Sequence, residues 1–229
     1  MGQRVEFASN GGTAQGYLAV PESGSGPGVV VIQEWWGLVP HVEDLCERLA
    51  GEGFVALAPD LYHGVATGEP DEAMRLMMGL AMDTAAKDMA GAARFLVEHD
   101  AVIGTGVGIV GFCMGGSLAL WSAASSPAIV AAVGFYPALP WERMGVDWSG
   151  YQGKSAQIHC SQEDGTSAAE GIQQAWTGIG AAGGDIEVFD YAGTQHAFFN
   201  DQRPEVHDAE ASALAWSRVL SLFHRRLAA

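Results

Sequence analysis

The chain of 229 residues is long enough for one domain with a sizeable core, and its 48% apolar and 17% charged residues exclude a disordered chain, a coiled coil and a collagen-like fibre. Eleven Lys and Arg against 27 Asp and Glu give a formal net charge of −16, which repels nucleic-acid phosphates and anionic lipid. We therefore expect a single domain over residues 1–229, with no nucleic-acid partner and no membrane association.

Cysteine usage and the N-terminus favour a cytoplasmic location. Three cysteines form no even-numbered set and no CxxC pair, so we expect neither a disulfide framework nor a structural zinc site. Residues 1–6 contain no apolar signal-peptide core. The uncharged stretch 101–141 is interrupted by glycines and by Pro127, which favours a buried strand–turn–helix–strand unit over a membrane span.

The predicted elements begin with a hairpin, Val5–Ala8 and Gly16–Val20, and continue as alternating strands and helices. In chain order they are strand Val29–Ile32, helix His41–Gly51, strand Phe54–Ala58, helices Asp71–Leu80 and Thr84–His99, strand Val107–Val110, helix Gly115–Ser125, strand Ile129–Phe135, an irregular segment Pro137–Gly153, strand Ser155–Cys160, helix Gly165–Gly178, strand Ile186–Asp190 and helix Glu205–Leu227. This order predicts an α/β protein with a mostly parallel central sheet, helices on both faces and an N-terminal antiparallel hairpin. Ligands of such sheets bind beyond the carboxyl ends of the strands.

The sharpest motif is Gly111–Gly116, which follows a predicted strand and precedes an apolar helix. It has the G-x-nucleophile-x-G spacing of a nucleophile elbow, with Cys113 as the nucleophile. Small flanking residues are needed because the turn is strained, and the helix N-terminus favours a thiolate. The alternative is a buried structural cysteine in a tight turn.

A cysteine nucleophile needs a base and an orienting carboxylate, which follow it in the chain order nucleophile, acid, histidine. Asp164 lies after the strand Ser155–Cys160, where it could also cap the next helix, and Glu163 is the adjacent rival. His196 lies in the loop after the last predicted strand. The order of these residues predicts that His196 is the base.

Two further segments bear on ligand binding. Glu34, Trp35 and Trp36 follow the first buried strand and are expected to line the site, although the indoles could instead cover the core. The stretch Gly106–Gly111 spells G-x-G-x-x-G, but its centre is the predicted strand rather than a turn that opens a helix. We therefore expect no nucleotide cofactor, and no motif indicates a metal site.

Together these residues resemble the dienelactone hydrolase family of the α/β-hydrolase superfamily. The matching segments run in the family's order over almost the whole chain: Gln33-Glu34, Pro59-Asp60-Leu61-Tyr62, Gly111–Gly116, Asp164 and His196-Ala197-Phe198. The resemblance implies an α/β-hydrolase fold and a Cys113–His196–Asp164 triad. It also implies an oxyanion hole formed by the N–H groups of Met114 and Trp35, and a role for Glu34 in creating the thiolate when substrate binds.

The chain departs from the family's pattern at the substrate-binding positions. Family members hold a substrate carboxylate with arginines, one of them four residues after the histidine, where this chain has Asn200. Arg203 is the nearest cation, and the other family arginine corresponds by spacing to Glu72, with Arg75 one turn further on. The resemblance therefore transfers the fold and the chemistry but not the dienelactone substrate.

We therefore expect a carboxylic ester or lactone hydrolase that forms an acyl-enzyme on Cys113, needs no cofactor and acts on a small molecule as a monomer or small homo-oligomer. The residues assigned to substrate binding are Trp36, Tyr62, Phe198, Asn200 and Arg203, with Phe199 also considered for the pocket. The alternatives are a non-hydrolytic protein of the same fold, either a thiol-based sensor or a binding module, and an acyltransferase or thioesterase.

Overall fold

The computed structural model describes residues 2–227, without the side chains at 165–168. Within that range the strands are β1 (Gln3–Ser9), β2 (Gly12–Ala19), β3 (Gly28–Ile32), β4 (Val55–Pro59), β5 (Val107–Phe112), β6 (Ile129–Phe135), β7 (Ser155–Ser161) and β8 (Asp185–Tyr191). The α-helices are α1 (Pro40–Gly51), α2 (Pro70–Gly79), α3 (Met82–Glu98), α4 (Met114–Ser125), α5 (Gly165–Ala181) and α6 (Ala209–Leu227).

All of these strands belong to one sheet, in the order β1-β2-β4-β3-β5-β6-β7-β8. The first hairpin is antiparallel, β2 pairs with β4 in antiparallel fashion, and every pair from β4 through β3 to β8 is parallel. The predicted architecture of a mostly parallel sheet with an N-terminal antiparallel hairpin is confirmed.

The continuous apolar strands are explained by helices on both faces of the sheet. All five residues of β3 are buried, because Val29 and Val31 contribute to the core under α1 and α6 while Val30 and Ile32 contribute to the core under α3, α4 and α5. Helix α2 is different, since only Ala73 of its ten residues is buried. Helix α2 therefore lies outside the helices that pack directly on the two faces of the sheet.

The last helix begins later than its apolar pattern suggests. We expected it to start at Glu205, whereas α6 starts at Ala209. The carboxylate of Asp208 accepts a hydrogen bond from the N–H of Ala211 at 2.9 Å, which caps the helix there. No helix within residues 2–227 is long and apolar enough to cross a membrane.

Helix α4 lies unusually close to the sheet, and glycine makes this approach possible. A β-carbon at Gly116 would lie 2.5 Å from the carbonyl oxygen of Phe135, and one at Gly134 would lie 2.9 Å from the oxygen of Gly116. The backbones of α4 and β6 are therefore in direct contact. This contact holds the N-terminus of α4 against the carboxyl edge of the sheet.

We predict that Gly116→Ala lowers the free energy of unfolding by about 1–3 kcal/mol, because the new methyl group meets backbone that cannot move aside. Gly180→Ala is the matched control, since a β-carbon there has nothing within 4 Å. In this open helical position the substitution should raise stability by up to about 1 kcal/mol. Urea denaturation of both variants tests the prediction, and a Gly116→Ala variant as stable as the parent would contradict it.

Candidate active site

The turn between β5 and α4 holds Cys113 in a strained conformation. Its backbone has φ 54° and ψ −119°, a region that non-glycine residues rarely occupy. The two flanking glycines are required: a β-carbon at Gly111 would lie 2.0 Å from the oxygen of Gly115, and one at Gly115 would lie 2.3 Å from the oxygen of Gln33. The sequence-predicted elbow is therefore present, and Cys113 immediately precedes the first turn of α4.

The chain brings His196 and Asp164 together from the loops after β8 and β7. The Nδ1 of His196 lies 2.5 Å from Oδ1 of Asp164, and the Oγ of Ser161 donates to Oδ2 of Asp164 at 2.6 Å. Glu163 instead accepts a hydrogen bond from the backbone N–H of His196 at 3.2 Å. Of the two candidate acids, Asp164 therefore contacts the imidazole and Glu163 holds the backbone of the same loop.

The electrostatics of this pair favour the charged forms. Burial alone would lower the pKa of His196, but hydrogen bonds with Asp164 and Cys113, together with the charges of both residues, raise it to about 10. Burial would raise the pKa of Asp164, but the hydrogen bonds from His196 and Ser161 lower it below its ordinary value. These interactions outweigh the effect of burial, and the imidazole is held as an imidazolium.

Glu34 is a buried carboxyl group in the same region, with only 4% of its surface exposed. Its Oε2 accepts a hydrogen bond from the side-chain amide of Asn200 at 3.0 Å, while its Oε1 is buried without a hydrogen-bond partner in the described part of the chain. Burial raises the pKa of Glu34 against the opposing effects of Asn200, His196 and Arg203. The resulting carboxyl group can hold or release a proton beside the sulfur.

A cavity of about 190 Å³ opens directly above Cys113. Its walls include Trp35 and Trp36, whose rings meet edge to face with centroids 4.9 Å apart, together with Met77 of α2 and Arg203. Of the residues assigned to substrate binding from sequence, Trp36 and Arg203 therefore line this cavity. Trp35 follows β3 and lines this cavity, and Met114 directly follows Cys113 at the start of α4.

A second cavity, of about 530 Å³, lies on the other side of His196. Its walls are the segment 137–142, the start of α5 around Glu170–Ile172, and the His196–Asp164 pair. Ala138 and His196 belong to the walls of both cavities. The two spaces therefore meet at the imidazole, with Cys113 exposed to the smaller one.

Arg143 ties the two cavity walls together. It follows the segment 137–142, and its Nη2 donates hydrogen bonds of 2.9 Å to the carbonyl oxygens of Met77 and Met78 in α2. The C-terminal turn of α2 and the segment beside the larger cavity are therefore joined by a single guanidinium group.

Two of the residues assigned to substrate binding, Phe198 and Asn200, lie in the core away from these cavity walls. Phe198 is fully buried between Tyr136 and Tyr191, so its pocket assignment is corrected to a core role. Asn200 is 4% exposed, and its amide is directed at Glu34 rather than at a ligand. Phe199, also considered for the pocket, is 3% exposed and packs in the same core.

Tyr62 lies beneath the elbow rather than on the cavity wall. Its hydroxyl group lies 3.4 Å from the sulfur of Met114, and burial raises its pKa. Together with His63 and Arg75 it lines a separate space of about 400 Å³ beside α2. Tyr62 therefore contacts the residue after the nucleophile, and Arg75 does not line either cavity that meets His196.

Sequence reasoning missed Tyr136 and the segment that follows it. Tyr136 has φ 35°, and its ring meets that of His196 edge to face at 5.0 Å. It follows β6, the neighbour of β5, so the rule that ligands bind beyond strand ends could have found it. The segment 137–142 had been assigned only as irregular, because it carries no catalytic motif. Within residues 2–227 no group of three or more His, Cys, Asp or Glu side chains could hold a metal ion.

We predict that His196 titrates near pH 10 in the intact protein and at lower pH in Cys113→Ala, because the variant loses the hydrogen bond and the charge of the sulfur. Histidine-selective NMR measures both values. His41 is the internal control, since burial lowers its pKa to about 4 and Cys113 does not contribute to that shift.

The same pKa fixes how His196 affects stability. The folded-state value of about 10 exceeds the ordinary value of about 6.5, so its interactions stabilise the fold fully below pH 6.5 and are lost as pH rises through 10. An unchanged His196 titration in Cys113→Ala would contradict the proposed contact with the sulfur.

Comparison with known proteins identifies the family of the chain. The model of the dienelactone hydrolase family matches residues 14–227. The chain is 36% identical to "Protein usf" of Aquifex pyrophilus, over 99% of this chain and 100% of the relative, and 35% identical to a protein of Aquifex aeolicus named "Putative carboxymethylenebutenolidase", over 97% and 98%.

A solved dienelactone hydrolase-like promiscuous phosphotriesterase from metagenomic libraries has the same fold, with a TM-score of 0.87, 24% identity and coverage of 99% of this chain and 98% of the other. The elbow, the loop histidine and the parallel sheet thus occur in a chain that matches the family model over nearly its full length. The protein belongs to the dienelactone hydrolase family and has the α/β-hydrolase fold.

Proposed function

We propose that this protein hydrolyses carboxylic esters or lactones through a covalent acyl-enzyme on Cys113, with His196 and Asp164 completing a catalytic triad. The observation that carries the proposal is the position of His196, which is hydrogen bonded to Asp164 at 2.5 Å and lines the same cavity as Cys113 of the strained elbow. Membership of a hydrolase family implies a small-molecule substrate, and the chemistry needs no cofactor.

In the first half of the reaction the thiolate of Cys113 attacks the substrate carbonyl carbon. The electron pair moves onto the carbonyl oxygen, and the N–H groups of Met114 and Trp35 donate hydrogen bonds to this oxyanion. The tetrahedral intermediate collapses, the bond to the leaving oxygen breaks, and the imidazolium of His196 gives that oxygen its proton. The raised pKa of His196 supports this step because the proton is in place before the substrate arrives.

In the second half a water molecule releases the acyl group. Acylation removes the negative charge of the sulfur, so one of the causes of the raised pKa of His196 disappears. The neutral imidazole takes a proton from water, whose oxygen attacks the thioester carbonyl. Cys113 leaves as a thiolate, and Asp164 stabilises the imidazolium that has formed again.

We propose that Glu34 adjusts the charge of the sulfur rather than acting as the base of the triad. Its buried carboxyl group lines the cavity above Cys113 and is fixed on one side by Asn200. When a substrate displaces water from this cavity, transfer of the Cys113 thiol proton to the unpartnered Oε1 of Glu34 would leave the sulfur as a thiolate. This assignment follows the role of the matching carboxylate in the family.

Cys113→Ala and His196→Ala should each reduce kcat on activated aryl esters by at least about 10³-fold, because residues of a triad act as one unit. Mass spectrometry of the parent protein after rapid mixing should detect an acyl adduct on Cys113. In His196→Ala, which lacks the base that activates water, the adduct should persist longer than in the parent protein.

Cys160→Ala is the matched control, since that sulfur is buried and burial raises its pKa. It should keep its activity and carry no adduct. Full activity in Cys113→Ala would refute the triad. Reactivity of the Cys113 thiol that is unchanged in His196→Ala would favour a thiol-based sensor. Transfer of the acyl group to added alcohols in preference to water would favour an acyltransferase.

Glu34→Gln keeps the size of the side chain and removes its ability to ionise. We expect kcat/KM to fall by about 10²-fold, the lower end of the range for a group that moves a proton. The reactivity of Cys113 with iodoacetamide in the presence of a substrate analogue should fall in parallel. Unchanged values of both quantities would restrict Glu34 to a structural role.

A further inference from the structure

The two cavities that meet at His196 differ in size by nearly threefold, at about 190 and 530 Å³. Pockets that hold whole small molecules occupy about 300–1,000 Å³. The smaller cavity falls below this range and the larger one lies inside it. A substrate that spans both must therefore place a small group in one and a large group in the other.

The chemistry decides which half of an ester goes where. The acyl carbon bonds to Cys113, which is exposed to the small cavity beside Trp35 and Met77. The leaving oxygen must accept its proton from His196, which separates the two spaces. The acyl group therefore stays in the small cavity, while the alcohol half extends past the imidazole into the large one.

The wall of the large cavity also has a distinct charge. Two exposed carboxylates, Glu142 and Glu170, belong to it, and its described residues include no Lys or Arg. Among the side chains that the structure describes, which do not include those at 165–168, neither carboxylate has an ion-pair or hydrogen-bond partner. In the small cavity, by contrast, Arg203 accompanies Glu34. An anionic alcohol would meet uncompensated negative charge, whereas a neutral or cationic one would not.

We propose that the substrates are esters of a short acyl group with a bulky alcohol that is neutral or positively charged, the alcohol half occupying the cavity lined by Pro137–Glu142 and Glu170–Ile172. The inference rests on the proposed acyl-enzyme chemistry and adds the substrate class. Met77 limits the acyl length, Ile172 limits the size of the alcohol, and Glu142 and Glu170 set its charge.

The size assignment is tested with two ester series in a pH-stat assay. For 3,3-dimethylbutyl esters, kcat/KM should fall at least about tenfold from the acetyl to the octanoyl ester, since even single methylenes have effects of this order in apolar pockets. For acetate esters it should rise from the methyl to the 3,3-dimethylbutyl alcohol. Reversal of either trend overturns the assignment of the two halves.

Reciprocal variants act as controls for each other. Met77→Ala enlarges only the small cavity. It should reduce the fall in kcat/KM from the acetyl to the octanoyl ester, while the dependence of kcat/KM on the alcohol stays unchanged. Ile172→Phe narrows the large cavity without lining the small one, and it should lower the ratio of kcat/KM for dimethylbutyl acetate to that for methyl acetate, while the dependence on acyl length stays unchanged. If each variant changes the other series instead, the placement is wrong.

The charge assignment is tested with three acetate esters of similar size, those of choline, 3,3-dimethylbutanol and isethionate. We expect kcat/KM to be highest for the cationic choline ester, intermediate for the neutral 3,3-dimethylbutyl ester and lowest for the anionic isethionate ester. In the double variant Glu142→Gln, Glu170→Gln the cation-to-anion ratio should shrink by about twofold to tenfold, the size expected for two exposed charges. At high salt the difference in this ratio between the parent protein and the double variant should become smaller.

Glu22→Gln, Glu52→Gln is the matched control, with the same change in net charge at exposed positions near the opposite edge of the sheet. It should leave the ratio unchanged, and an equal effect in both double variants would overturn the local role of Glu142 and Glu170. Ester turnover that survives in Cys113→Ala would instead defeat the proposed function. Turnover that depends on Cys113 but prefers long acyl groups would defeat the substrate class alone.

Discussion

The main chain is in direct contact with itself at the turn that joins β5 to α4, and the rest of the site depends on this contact. Positions 111 and 115 have no room for a β-carbon, because carbonyl oxygens of Gly115 and Gln33 lie within 2.0 and 2.3 Å of where it would be. Only glycine allows this packing, and the packing in turn forces Cys113 into a conformation that it would otherwise avoid. The strain is balanced by the buried sheet and helices around the turn.

The charged groups are arranged so that each compensates for the burial of the next. Asp164 is held by Ser161 and His196, and His196 is held by Asp164 and the sulfur. Burial opposes the charge of both Asp164 and His196, and their shared hydrogen bond offsets this effect in each of them. The arrangement is therefore one electrostatic unit, assembled from three strand exits far apart in sequence.

The sequence predicted the order of strands and helices along the chain and the loops that carry Cys113, Asp164 and His196, because a short motif and chain order report directly on where strands end. It was a poor guide to the cavity walls. Phe198 and Asn200 stand beside His196 in sequence, yet they are directed into the core and toward Glu34. Side-chain direction in an irregular loop depends on tertiary packing, which no local pattern reports. For the same reason the segment 137–142 gave no sign that it would form a wall.

The bonds from Arg143 to the carbonyl oxygens of Met77 and Met78 connect the segment beside one cavity with the helix that closes the other. A ligand group that displaces either wall must strain the same guanidinium. The two halves of a substrate would then be energetically coupled, and free energies measured separately for each half would fail to sum. Side-chain substitutions that leave the backbone of both walls in place, such as Met77→Ala, do not act through this coupling, because Arg143 holds main-chain carbonyl groups.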